Sequence, residues 1–185
     1  MKRKTTKEIL AESFRELAAD RAIDKITVQE IVSNCAYSSA TFYRHFKDKY
    51  DLIAWDYAQK AAEIMDRLNE KDYLWGQVLL DWAAYFQQEK EYLMNLLLHT
   101  SGHDAFIRYM TEINTDAFTN YLQSHSGWNE LDEKTTMLIR AYCMGSVCLT
   151  CEWISGKYNA SASDLAAIYE NAMPLTLQEM LSYKK

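Results

Sequence analysis

The sequence predicts an all-α protein: an N-terminal three-helix head built around a helix-turn-helix, followed by a larger helical body, about nine helices in all. Three observations predict it. The 185 residues include one Pro and five Gly, too few for the many turns of a β-sandwich or barrel. Apolar residues recur at spacings of three and four along most of the chain, the period of a helix with one buried side. Helix-start signals stand where those stripes begin.

The first helix is announced by Thr5-x-x-Glu8, a capping box in which the Thr oxygen and the Glu carboxylate satisfy free amides at the helix start. Leu10, Phe14 and Leu17 continue it to about Ala19 as one apolar stripe. A second box, Thr27-x-x-Glu30, opens a short helix with Val28, Ile31, Val32 and Cys35 inward, ending near Ala36. Ser38 caps a third helix with Phe42 and Phe46 facing the core. Asp48 caps a longer fourth, along which Tyr50, Ala54, Tyr57, Ala58, Ala61, Ile64, Met65 and Leu68 trace a continuous seam. Beyond it, Gly76, Gly102, Gly127 and Gly156 mark boundaries between segments of roughly 20 residues. From Thr136 to Ser155 only Arg140 and Glu152 are charged, so this helix is apolar all round and must be covered on every side. Its own core covers one side, and a second copy of the chain most simply covers the other. The last segment runs from Leu165 to Leu181, with Pro174 expected to kink or restart it.

Charge divides the chain as the helices do. Net charge is −6, yet residues 1–50 hold 10 Lys/Arg against 7 Asp/Glu, and the remainder holds 10 against 19. A basic head on an acidic body suits a protein that meets phosphate with one end. The N-terminus shows no signal peptide, and no stretch reaches the roughly 18 apolar residues of a membrane span, so a cytoplasmic location without membrane contact is expected. The four cysteines are then expected to be reduced thiols and not a disulfide framework.

Two short helices joined by a tight turn in a net-basic head fit a helix-turn-helix whose second helix enters the major groove of double-stranded DNA. Ser38, Ser39, Thr41, Tyr43, Arg44 and His45 supply hydroxyl and cationic donors suited to phosphates and base edges, and Lys47 and Lys49 follow. A solvated amphipathic hairpin would show much of the same pattern. The run from Thr27 to Leu52, above all Thr41-Phe42-Tyr43-x-His45-Phe46-Lys47-x-Lys49, resembles the DNA-binding signature of the TetR family of bacterial transcription regulators. The resemblance covers about residues 5–55. It implies a head at residues 1–47 and an effector-binding and dimerisation body at 48–185. It also implies a homodimer on a roughly palindromic operator, with repression the commoner mode. Thr27, Ser39, Thr41, Tyr43, His45 and Lys49 match positions that contact operator DNA in the family. Thr27, Tyr43 and Lys49 are expected mainly on phosphate, and Ser39 and Thr41 on base edges. Where the family usually has Ala-Gly-Val in the turn, this chain has Cys35-Ala36-Tyr37. That leaves the contact role of Ser38 open, and a positive φ at Ala36 would carry strain of roughly 1 kcal/mol relative to Gly.

The runs Phe46–Trp55 and Trp153-Ile154-Ser155-Gly156 further resemble a subgroup that regulates dihydroxyacetone kinase operons. That subgroup implies a partner protein as effector, an activator role and no small-molecule pocket. The alternative is a small-molecule effector, for which Trp82, Tyr85, Phe86, Met110 and Tyr142 are the candidate lining; helical spacing alone would also place such residues in a core. Tyr142, Gly145, Leu149, Trp153, Tyr169, Met173 and Leu177 are the expected dimer interface.

No cofactor and no metal are expected. His99-x-x-x-His103 has metal-pair spacing, but Ser101 and Gly102 break the helix it needs. Cys148-x-x-Cys151 lies in an apolar run without a second pair, so both read as core or interface residues. No Gly-rich phosphate loop or nucleophile elbow is present, so no enzymatic activity is expected.

Overall fold

The computed structural model describes residues 3–99, 103–125, 128 and 130–182. Among them run ten α-helices and no strand: α1 (Thr6–Asp20), α2 (Val28–Asn34), α3 (Ser39–His45), α4 (Lys49–Asp66), α5 (Trp75–Gln88), α6 (Lys90–His99), α7 (His103–His125), α8 (Glu133–Ile154), α9 (Ala162–Ala172) and α10 (Leu175–Ser182). A 3-10 turn, Ile23–Lys25, links α1 to α2. Pro174 accounts for the tenth helix, because its ring cannot continue α9 and the chain restarts as α10. Ser101, Gly102 and Gly127, expected as boundaries, lie outside the described residues.

Both expected capping boxes form, Thr5 with Glu8 and Thr27 with Glu30. Side-chain caps at Ser38 and Asp48 start α3 and α4. Leu10 and Phe14 of α1, Ile31 of α2 and Phe42 of α3 are fully buried, and they pack in one continuous core with Leu52 and Tyr57 of α4, Phe86 of α5 and Leu93 of α6. A second core, distal to the head, joins Ile64, Leu68, Val78, Phe118, Leu122, Ile139 and Leu177. The main helix pairings in the body are α5 on α9, α7 on α8 and α4 on α7.

Packing within the protomer takes up part of the expected dimer interface. Trp153, Tyr169, Met173 and Leu177 are buried inside the protomer at 8%, 5%, 4% and 0% exposure. The cause is local: the Tyr169 hydroxyl donates to Ser146 O at 2.9 Å and pairs with Thr150 Oγ1 at 2.6 Å, which turns that side of α9 onto α8. Trp153 Nε1 donates to Ala160 O at 2.8 Å, closing the α8–α9 connection over the ring. Tyr142 is half-buried and donates to Tyr169 O at 3.0 Å. Leu149 is half-buried and Gly145 stands on the outer face. That outer face of α8 carries Met137, Ala141, Met144, Gly145 and Cys148, at spacings of four, three, one and three. Met137 and Met144 are 64% and 50% exposed. Among the described residues α8 is also the one helix long and apolar enough to cross a membrane, with 39% of its most apolar window buried.

Candidate nucleic-acid interface

α2 is fixed to α1 by short polar bonds. The buried Ser13 hydroxyl donates to Ile31 O at 2.6 Å, and Asn34 Nδ2 donates to Ser13 Oγ at 3.1 Å and to Glu16 Oε2 at 2.8 Å. At its start, Glu30 accepts from the Thr27 amide at 2.9 Å, the Thr27 hydroxyl at 2.7 Å and Arg21 at 2.8 Å. These donors, the Arg21 guanidinium first, hold the Glu30 carboxyl down at about 2. The end of α2 is a Schellman turn: Tyr37 N donates to Val32 O at 2.8 Å and Ala36 N to Ser33 O at 3.4 Å. That turn puts Ala36 at φ 58°, in the left-handed region where Gly is usual.

The turn delivers α3 with one side inward and the other free. Phe42 and Phe46, 0% and 3% exposed, are the anchor, with ring centroids 5.7 Å apart. Lys7 of α1 places its ammonium 5.3 Å from the Phe46 centroid and 5.3 Å from that of Trp55. Tyr43 is 60% exposed, and Arg44 and Lys47 are exposed beside it. Among the described residues neither the Arg44 nor the Lys47 side chain has a protein partner. Ser39 donates to Gln29 Oε1 of α2 at 3.0 Å. Ser38 Oγ caps Thr41 N at 3.2 Å and shares a hydrogen bond with Thr41 Oγ1 at 3.0 Å. His45 is half-buried. The sequence-predicted set therefore gathers on the outside of one short helix and its flanks, with Thr27 exposed at the start of α2.

Lys49 is the exception, because it turns inward. Its ammonium donates to Ile23 O, Asp24 O and Ile26 O at 2.8, 3.0 and 2.7 Å, which uses all three of its N–H groups. Burial lowers its pKa, against the pull of Asp24 and Glu30.

The expected effector lining is divided by the structure. Trp82, Phe86 and Tyr142 line a cavity in the body with Trp75, Phe118, Asn114 and Thr150, but its volume is about 70 Å³. Stacked Trp82–Phe86 and Trp75–Phe118 pairs, with centroids 5.2 and 4.7 Å apart, fill the rest. Met110 belongs elsewhere, to a groove of about 290 Å³ between α4, α6 and α7. Tyr85 belongs to a polar junction that sequence reasoning missed. There Arg15 of α1 donates to Asp56 at 2.7 Å, Glu89 at 2.8 Å and Tyr85 Oη at 3.3 Å, and lies 4.5 Å from the Tyr92 ring. The available signal was Arg15 standing between Ala11 and Ala18 at spacings of four and three, on a stripe of small residues that are each 3% exposed.

No group of three or more metal-ligating side chains occurs among the described residues. Burial pushes the Cys143 and Cys151 thiols up to about 12, which leaves both protonated and unreactive at neutral pH.

Residues 9–54 match the family model for "bacterial regulatory proteins, tetR family", and residues 74–174 match that for a "transcriptional regulator C-terminal region". The chain is 22% identical over 145 residues to the HTH-type dhaKLM operon transcriptional activator DhaS of Lactococcus lactis, covering 77% of this chain and 75% of that one. It is 25% identical over 170 residues to the transposon Tn10 TetC protein of Escherichia coli, covering 92% and 69%. Among solved structures, the dihydroxyacetone kinase operon activator DhaS superposes with a TM-score of 0.62 at 17% identity over 97% of this chain and 98% of its own. The repressor AlkX of Dietzia superposes with a TM-score of 0.60 at 15% identity over 98% of this chain and 100% of its own.

Proposed function

The chain belongs to the tetR family of bacterial regulatory proteins, and on that premise we propose that it is a cytoplasmic, sequence-specific DNA-binding regulator, a homodimer that represses from a roughly palindromic operator. The observation that carries this reading is the outer side of α3. Tyr43, Arg44 and Lys47 project from a helix locked by Phe42 and Phe46, so the donors are held rigidly where a groove would receive them. Tyr43 and Thr27 take phosphates, Arg44 and Lys47 supply charge, and Ser39 and Thr41 meet base edges. Ser38 serves them as a cap. Lys49 supports the interface from within by holding the carbonyls before α2. Residues 1–47 act as the head and 48–185 as the body that biases it. The α8 stripe from Met137 to Cys148 pairs with its copy, which also accounts for an apolar helix with an uncovered face.

A second reading has a specific observation in its favour. A pocket for a drug-sized ligand occupies roughly 300 Å³ or more, whereas the cavity at Trp82, Phe86 and Tyr142 has about 70 Å³. At that site the small volume favours control by a partner protein on the body surface over a buried small molecule, and with this second reading goes an activator role, the Lactococcus relative being named a transcriptional activator.

The test is fluorescence anisotropy of the purified chain on a duplex it has itself selected from a randomised pool, with unselected duplex as control. A steep salt dependence and two chains per duplex are expected. No enrichment of any sequence would overturn the reading.

A further inference from the structure

The seam of α4 is one connection between body and head; α6 makes another. Asn95, in the middle of α6 and half-buried, faces the connection between α1 and α2. Its Nδ2 donates to Ala18 O at 2.8 Å and to Arg21 O at 2.7 Å, and its Oδ1 accepts from Ile23 N–H at 3.1 Å. A carboxamide has two donors and an acceptor, and all are used here on backbone. The gripped segment cannot give easily. Ile23 and Ile26 are 0% and 1% exposed, and Lys49 of α4 holds Ile23 O and Ile26 O from the other side at 2.8 and 2.7 Å. Thr27, the cap of α2, follows Ile26 directly, so the loop that α4 and α6 hold between them sets where α2 begins. α6 in turn packs on α5, α7 and α8, the helices of the body. A displacement of α6 against α4 must therefore either carry the loop along or break hydrogen bonds that weaken steeply with misalignment.

We propose that Asn95 is a positioning residue through which α6 sets the placement of α2 and α3, so that the body acts on the head along two lines, α4 and α6. The proposal rests on the reading of the chain as a DNA-binding regulator. Coupling between two sites is reciprocal. If effector-driven movement of α6 reaches the head through Asn95, then DNA held by the head must be felt in α6 through the same residue.

The experiment uses the full chain, Asn95→Ala, and Asn95→Asp as the isostere that keeps the acceptor for Ile23 N–H and loses both donors. Amide hydrogen exchange across α4 and α6 is followed with and without the selected duplex. Anisotropy is recorded at a temperature where circular dichroism shows all three proteins folded. In the wild type, DNA slows exchange in both helices. In both variants the slowing in α6 disappears while that in α4 remains, and affinity falls about tenfold with the salt slope unchanged, because no phosphate contact is removed. A purely structural role would lower the melting temperature and leave the α6 response to DNA in place, and that result would overturn the proposal. So would a wild type that binds its duplex without any response in α6, with the regulator reading left standing. A wild type that selects no sequence would sink the regulator reading itself.

Discussion

Glu30 shows how much a single side chain organises in the head: it closes the cap of α2 and binds Arg21, and its pKa is held at about 2 against an ordinary value of 4.5. A carboxyl lowered in the native state stabilises fully above its unfolded value and loses that contribution as pH falls through the native one. Wild-type stability should therefore decline between pH 4.5 and 2. Glu30→Gln should start less stable at pH 7 and decline less over the same window, as read by denaturant titration at a series of pH values. Parallel curves would show that the cap carries no acid dependence. On the outer side of α3, Tyr43→Phe should weaken binding to selected and random duplex alike, since a phosphate contact carries no sequence information. Thr41→Ala should change preference at one base step, costing roughly 1–3 kcal/mol there. Binding to a panel of single-base operator variants separates the two, and the reverse pattern would refute the assigned roles. The caps and the exposure of Tyr43 were legible because both follow local rules. Lys49 was not: whether a lysine reaches out to phosphate or inward to three carbonyls depends on where the loop of residues 22–26 comes to lie.

Among the elements, the turn between α2 and α3 tests the strain argument. The sequence showed Ala36 where glycine is usual, and the backbone keeps the left-handed conformation there, at φ 58°, inside an intact Schellman turn. The left-handed region costs a non-glycine residue roughly 1–2 kcal/mol, and glycine loses roughly 0.5–1 kcal/mol more chain entropy on folding. Ala36→Gly should thus stabilise the protein by about 0.5 kcal/mol, the difference of those terms, measurable as a higher midpoint in urea; a lower midpoint would mean that the turn is unstrained. The periodic helices were readable from residue spacing, and so was the restart at Pro174. What spacing could not give was the direction in which an apolar stripe faces. α8 and α9 carry apolar residues that fit a partner and an internal neighbour equally well. Tyr169 turns inward because α5 lies against α9 and because Thr150 and Ser146 engage its hydroxyl, and Met173 and Leu177, at and beyond the end of α9, join the second core with Val78, Phe118 and Ile139. That choice is made by tertiary packing and not by local spacing.

For the whole molecule, the proposed two-headed assembly turns on whether a second copy lies against the outer side of α8. Gly145 provides a clean probe because a Cβ built there meets nothing within 4 Å in the protomer. A Cβ at this position is accommodated by the lone chain on an exposed face of α8, and replacing a mid-helix glycine with a better helix former favours α8 by up to about 1 kcal/mol. Gly145→Glu should therefore fold at least as well as the wild type. In a twofold assembly, however, the stripe of Met137, Ala141, Met144 and Cys148 faces its own copy, so each added carboxylate meets apolar surface and its symmetry mate, with no cation provided. The expected outcome is an unchanged or higher melting temperature together with a shift from dimer to monomer in sedimentation velocity. Binding to a palindromic duplex should fall at least to the level of one head on one half-site, because two linked heads gain their affinity from being held at a fixed spacing. A Gly145→Glu chain that stays dimeric and binds the duplex as the wild type does would place the twofold contact elsewhere, leaving the exposed methionines of α8 for a different partner.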